Sequence, residues 1–153
     1  MSDLAIIKDS VIKQGYRELN PREIEIDYEK TRNRWLLYYC RNHSGFNIRV
    51  NSLLRDAPVR AKKGGIAHEL SHIVAEKTRS KRTLAKTYQS YHTFKLFRDL
   101  EERNTDLDVV LRGFGLGLAE LFEYAKRFDI PYAEDLGLSS EEIRALLNLR
   151  KLS

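Results

Sequence analysis

The amino-acid sequence predicts an α+β domain, in which a short antiparallel sheet precedes a mostly helical C-terminal half. The period of the apolar residues supports this prediction. Between Pro21 and Pro58 they fall in segments with the alternation or composition of strands, and after Pro58 they recur at helical spacing. No repeat, low-complexity tract or Pro/Gly/Ser linker divides the chain, so we expect one domain over residues 1–153. Its parts are a helix with the sheet (1–57), two central helices (58–112) and C-terminal helices (113–153).

The first part is expected to hold one helix and three strands. Residues 4–16 carry apolar side chains near helical spacing, and Asn20-Pro21 ends this pattern because the residue before a proline avoids the helical region. Three segments with the composition or alternation of strands follow, with a turn before the last: EIEIDY (23–28), RWLLYYC (34–40) and FNIRVN (46–51). We expect them to form the antiparallel sheet.

Four helices are expected in the rest of the chain. The first carries a buried apolar stripe made of Ala67, Leu70, Ile73 and Val74. The second is predicted to run unbroken over residues 88–112 and to end at Gly113. It should supply four core side chains: Phe94, Phe97, Leu100 and Leu107. The last two helices are expected over 116–128 and 139–149, the latter capped by Ser140.

Composition predicts a soluble cytoplasmic protein. The single cysteine, Cys40, forms no intrachain disulfide, and neither a basic leader with an apolar stretch nor a run of roughly 18 apolar residues is present. The net charge is +5, with a pI near 9.3. Cations concentrate in one stretch: Lys77, Arg79, Lys81, Arg82 and Lys86. Two interpretations stay open for this stretch, a solvated loop or a contact with nucleic acid or an acidic substrate.

The segment HELSH at residues 68–72 indicates chemistry. Positions four apart lie one turn apart on the same helix face, so His68 and His72 can present imidazole nitrogens to one ion. Zinc accepts such nitrogens at about 2.0–2.1 Å. Glu69 is expected to act as general base on a zinc-bound water, which predicts hydrolysis of a peptide or protein substrate. The plainer alternative is two surface histidines on an amphipathic helix.

A catalytic zinc needs a third protein ligand and an open fourth position. Glu102 is the favoured ligand, and Asp106, one turn later, is expected to hydrogen-bond His68 and fix its tautomer. His92 is the alternative ligand, and Glu101 or Asp106 also stay open. Three residues are candidates for stabilising the oxyanion: Tyr88, Tyr91 and His92.

These motifs resemble those of a known peptidase family. HELSH followed by the ERNTD segment is similar to the gluzincin zinc metallopeptidases, and residues 46–115 resemble the compact archaeal minigluzincins in particular. The resemblance implies a zincin-like fold with the FNIRVN strand at the sheet edge beside the cleft. It also implies a role for each residue of the motifs: His68, His72 and Glu102 as zinc ligands, Glu69 as general base, and Asp106 as the acid behind a ligand.

Two rival functions are kept beside this one. The stretch from RNRWLLYYC to AHELSH is also similar to SprT-like zinc proteases, which act on proteins bound to DNA and would need His92 as a third histidine ligand. The other rival is a non-catalytic zinc-containing module whose basic surface binds nucleic acid.

The C-terminal part raises the further hypothesis of a latent enzyme. An acidic side chain of the segment DIPYAEDLG would then occupy the open zinc position, and the candidates are Asp129, Glu134 and Asp135. The alternative is that residues 129–153 complete the core through Leu146, Leu147 and Leu149.

Overall fold

The computed structural model of the chain describes residues 2–30 and 35–152. Within these residues it shows an α+β fold, as predicted. Arg34, with which the predicted second strand begins, lies outside the described residues. The elements are α1 (Asp3–Gly15), β1 (Ile24–Glu29), β2 (Leu37–Arg41), β3 (Phe46–Asn51), α2 (Val59–Thr78), α3 (Lys81–Thr93), α4 (Lys95–Leu111), α5 (Gly115–Arg127) and α6 (Ser140–Leu152).

The sheet is mixed, so the prediction of an antiparallel sheet is wrong for one of its two strand pairs. The strand order is β1-β3-β2, with β3 parallel to β1 and antiparallel to β2. Nearly every residue of β3 is buried, whereas β1 and β2 each expose part of their length. The centre of a sheet is covered on both faces, which suits β3 best. The expected edge position of residues 46–51 is therefore wrong, and β2 forms the edge beside the cleft.

Helix α2 crosses α5 at a point that has no room for side chains. A Cβ on Gly64 would lie 2.1 Å from the amide nitrogen of Leu118, and a Cβ on Gly117 would lie 2.3 Å from the carbonyl oxygen of Arg60. The Gly64-Gly65 pair therefore marks close packing inside a continuous helix. Three residues of the predicted apolar stripe are fully buried beyond this crossing: Ala67, Leu70 and Ile73.

The expected single helix over 88–112 is two helices, because the chain becomes extended at Phe94. Phe94, Leu100 and Leu107 are 59%, 51% and 39% exposed and do not belong to the core. Helix α4 buries another face, which carries Glu102, Thr105, Asp106, Val109 and Val110. Residues of the candidate site thus occupy the buried face of α4, and its leucines lie outside. Gly113 follows α4 with a positive φ, as its predicted role in ending the helix requires.

The segment after α5 completes the core. Ile130, Leu138 and Ile143 are almost fully buried. The cap of α6 is Ser139 and not Ser140: its Oγ accepts a hydrogen bond from the Glu142 amide at 3.1 Å, and the Glu142 carboxylate accepts one from the Ser139 amide at 2.8 Å. This reciprocal pair is a capping box. Among the described residues, none of the helices combines the length and apolarity that crossing a lipid bilayer requires.

Candidate metal centre

Helices α2 and α4 bring three potential ligand atoms together. The Nε2 atoms of His68 and His72 lie 3.1 Å apart. The Oε2 atom of Glu102 lies 3.0 Å from His68 Nε2 and 3.5 Å from His72 Nε2. These three residues form a group that could hold a metal ion, with Glu102 buried and both histidines partly buried.

The spacing of these atoms fits a tetrahedral metal site. Two ligands at about 2.0–2.1 Å from one zinc ion, at the tetrahedral angle, lie about 3.3 Å apart. The three separations, 3.1, 3.0 and 3.5 Å, bracket this value. The group supplies three ligand atoms, so the fourth corner of a tetrahedron receives no ligand from it. The donor set of two imidazoles and one carboxylate is one that catalytic zinc sites use.

Asp106 is a hydrogen-bond partner of His68. His68 Nδ1 lies 2.8 Å from Asp106 Oδ1, so the ring can donate its Nδ1 proton there and direct Nε2 at the ligand group. The second carboxylate oxygen accepts the Leu138 amide at 2.8 Å. Burial lowers the pKa of His68, but the carboxylates of Asp106 and Glu102 outweigh it and hold that pKa well above its usual range.

The partner of His72 is Thr105, which the sequence analysis missed. The Thr105 hydroxyl donates to the Glu101 carbonyl oxygen at 2.9 Å, so its oxygen can accept the Nδ1 proton of His72 at 3.5 Å. Both histidines therefore present Nε2 to the same point. The position of Thr105, three residues after Glu102 and one before Asp106, was the available signal, because all three fall on one helix face.

The two oxygens of Glu102 have different neighbours. Oε2 faces the two histidines, and Oε1 accepts a hydrogen bond of 2.5 Å from the Tyr91 hydroxyl. Burial opposes ionisation of Glu102, but hydrogen bonds from His68 and His72 prevail and hold its pKa well below the usual range. The charged form, which is the form that binds metals, is thus favoured.

Glu69 is buried beside the ligand group without belonging to it. The Tyr39 backbone amide of β2 donates a hydrogen bond to its carboxylate. Burial raises the pKa of Glu69, against the opposing effect of the nearby histidines. A carboxylate with a raised pKa is a stronger base, which suits proton transfer at neutral pH.

The ligand group opens into a cavity of about 900 Å³. Strand β2 lines one part of the cavity, and α3 lines another with Leu84, Ala85 and Tyr88. Apolar and aromatic residues of β2, α5 and the segment before α6 also line it: Leu37, Leu118, Leu121, Phe122, Tyr132 and Leu136. Both histidines and Glu69 also line this cavity, so a bound molecule would reach them.

Other predicted site residues lie apart from the ligand group. His92 lies in the last turn of α3 with an exposed side chain, and its ring packs against Tyr88 and Tyr91. Glu101 is engaged by Arg79 at 2.8 Å. The geometry therefore favours Glu102 over His92 and Glu101 as the third ligand. The hydroxyl of Tyr91 is directed at Glu102, and Tyr88 is 70% exposed.

The acidic residues of the C-terminal segment also lie elsewhere. Glu134 pairs with Lys126 at 3.8 Å and Asp135 with Lys95 at 2.8 Å, while Asp129 follows the C-cap residue of α5. The ligand group in the described part of the chain includes none of them. Leu146 and Leu147 pack against the core, whereas Leu149 is 65% exposed.

The basic stretch is divided between ion pairs and open surface. Lys77 pairs with Glu23, and Arg79 with Glu101. The other three cations lie exposed on α3: Lys81, Arg82 and Lys86.

No protein-family model matches the chain, and comparison with the curated proteins and with the solved structures gave no match either.

Proposed function

We propose that the chain is a zinc-dependent peptidase whose metal is held by His68, His72 and Glu102. The observation that carries this proposal is the tetrahedral spacing of the three ligand atoms in a cavity that Glu69 also lines. When bound there, zinc supplies a Lewis acid that lowers the pKa of a coordinated water and polarises the carbonyl to be cleaved.

Glu69 takes the role of general base in this proposal. It is buried, its pKa is raised, and it is left out of the ligand group, so its carboxylate remains available for a proton. The hydrogen bond from the Tyr39 amide holds the carboxylate in place against the edge strand. Asp106 and Thr105 keep the two histidines in the Nε2-facing orientation.

The edge strand offers a binding surface for an extended substrate. The Asn51 amide donates a backbone hydrogen bond to the Leu36 carbonyl, and the Asn42 amide donates one to the Gly45 carbonyl. With the register of the two strands, these bonds show that the even-numbered residues of β2 direct their backbone groups at β3. In an antiparallel pair, the residues between them direct their backbone groups away from the partner. The carbonyl of Tyr39 and both backbone groups of Leu37 therefore face outward, beside a cavity into which a peptide strand could fit.

Glu69→Gln tests the proposal, because the amide keeps the shape of the side chain but cannot take a proton. Zinc-loaded protein is incubated with a mixed peptide library, and new termini are identified by mass spectrometry. We expect wild-type protein to cleave peptides and Glu69→Gln to bind zinc equally while cleaving about 10²–10⁴-fold more slowly. Glu101→Gln is the matched control, since Glu101 lines the same cavity but pairs with Arg79.

Two results would contradict the proposal. Zinc-loaded wild-type protein that cleaves no peptide would refute the peptidase and favour the zinc-containing nucleic-acid-binding module. Cleavage by Glu69→Gln at the wild-type rate would refute the assignment of the base.

A further inference from the structure

Tyr91 forms a hydrogen bond with only one of the two oxygens of Glu102. Its hydroxyl lies 2.5 Å from Oε1, while Oε2 is the oxygen that faces both histidines. The phenol is the donor in this bond and the Glu102 carboxylate the acceptor. Oε1 of Glu102 is therefore already engaged in a hydrogen bond in the metal-free protein.

This arrangement bears on how Glu102 can coordinate. A carboxylate binds a metal through one oxygen or through both. If Oε1 also coordinated, it would take space that the fourth ligand position needs in a catalytic zinc site. The bond from Tyr91 opposes that second contact, because Oε1 would have to leave a short hydrogen bond to a charged acceptor, which is among the stronger hydrogen bonds in proteins.

Tyr91 also connects the site to α3. This helix packs against α4 and has no buried residue of its own, so little apolar packing holds it over the cavity. Tyr91 is half-buried, and the Arg98 guanidinium of α4 lies 5.9 Å from the centre of its ring. Its hydroxyl is thus a polar link between the α3 wall of the cavity and a metal ligand.

We infer that Tyr91 is a positioning residue for the metal centre: its hydroxyl restricts Glu102 to one-oxygen coordination and ties α3 to that ligand. This inference rests on the metal centre of the proposed function, but it does not depend on peptide hydrolysis. Removing the hydroxyl frees Oε1 to approach the metal and loosens α3 at the same time.

Cobalt(II) substitution tests the inference, because the visible absorption of cobalt weakens when a fifth ligand joins a four-coordinate site. Cobalt is titrated into wild-type protein, Tyr91→Phe and Tyr88→Phe, and spectra and affinities are compared. Tyr88 is the matched control, since it lies one turn earlier on α3 and is 70% exposed. We expect Tyr91→Phe to absorb more weakly and to bind cobalt about 10–100-fold less tightly, the usual effect of losing a partner of a metal ligand. Tyr88→Phe should match the wild type.

Amide hydrogen exchange separates this role from a structural one. In Tyr91→Phe, exchange should be faster in residues 81–93 and unchanged in α1, and the cobalt spectrum should change as well. Faster exchange with a wild-type cobalt spectrum and affinity would refute the positioning role, as would a variant that matches the wild type in every respect. If wild-type protein takes up no cobalt, the metal centre itself is refuted, and this role with it.

Discussion

Asp106→Asn is the substitution whose effect follows most directly from the structure. Asp106 accepts two hydrogen bonds, one on each oxygen, from His68 Nδ1 and from the Leu138 amide. Asparagine has a single side-chain oxygen, so one of these donors must face an NH₂ group. If that donor is His68, the ring shifts its proton to Nε2 and loses the lone pair that binds the metal. If it is Leu138, a buried amide is left unpaired.

The free-energy cost of losing either hydrogen bond can be estimated. Loss of a partner behind a metal-binding histidine lowers metal affinity by about 10–100-fold, which corresponds to about 1.4–2.7 kcal/mol. An unpaired buried amide costs about 1–3 kcal/mol of folding free energy. The total free-energy cost of Asp106→Asn is therefore expected to appear partly as lower zinc affinity and partly as lower stability of the metal-free protein.

Zinc affinity is measured by competition with a chromophoric chelator, and stability by urea unfolding of the metal-free protein. Asp99→Asn is the control, because Asp99 Oδ1 accepts the Gly137 amide at 2.9 Å in the same region, and the one oxygen of asparagine is enough for that bond. If Asp106→Asn matched Asp99→Asn in both measurements, the reasoning about the tautomer of His68 would be refuted.

Two further predictions concern the packing that holds α2 in place. Gly64→Ala should destabilise the protein by about 1–3 kcal/mol despite roughly 1 kcal/mol gained in helix propensity, because its Cβ would meet the backbone of Leu118 at 2.1 Å. In urea unfolding, Gly113→Ala serves as comparison, since its Cβ would enter open space and only the positive φ is costly; a Gly64→Ala protein as stable as the wild type would contradict the close crossing. Tyr16→Phe should cost about 1–3 kcal/mol, because the fully buried hydroxyl donates to the Ala67 carbonyl at 2.7 Å. An unchanged urea midpoint for Tyr16→Phe would contradict that estimate.

The grouping of the candidate metal-site residues could be expected from sequence in part, because the relation within each pair is local. His68 and His72 are related by one helical turn, as are Glu102 and Asp106, so helix geometry alone places each pair on one face. The pairing of α2 with α4 is a tertiary contact that helix periodicity does not contain. The family resemblance implied it, and the grouping of His68, His72 and Glu102 agrees with it.

Other features could not be predicted because they depend on tertiary competition. Alternation and composition indicated three strands. They do not say which strand is central, because that depends on which one can be covered on both sides. The break at Phe94 has no glycine or proline to signal it, and the apolar pattern continues through it. Leu100 and Leu107 were expected inside because apolar residues usually are. The buried face of α4 instead carries Glu102 and Asp106. Hydrogen bonds to partners on other elements compensate for the burial of these two carboxylates.

The hydrogen bond from the Leu138 amide to Asp106 gives the metal site an order of assembly. Every proposed ligand lies between residues 68 and 102, yet the orientation of His68 depends on a backbone group 32 positions beyond Asp106. A chain still being synthesised can have all three ligands outside the ribosome while Leu138 remains inside it. Under the proposed function, we expect such a chain to hold zinc more weakly than the finished domain, and to reach full metal affinity only once the segment before α6 has docked.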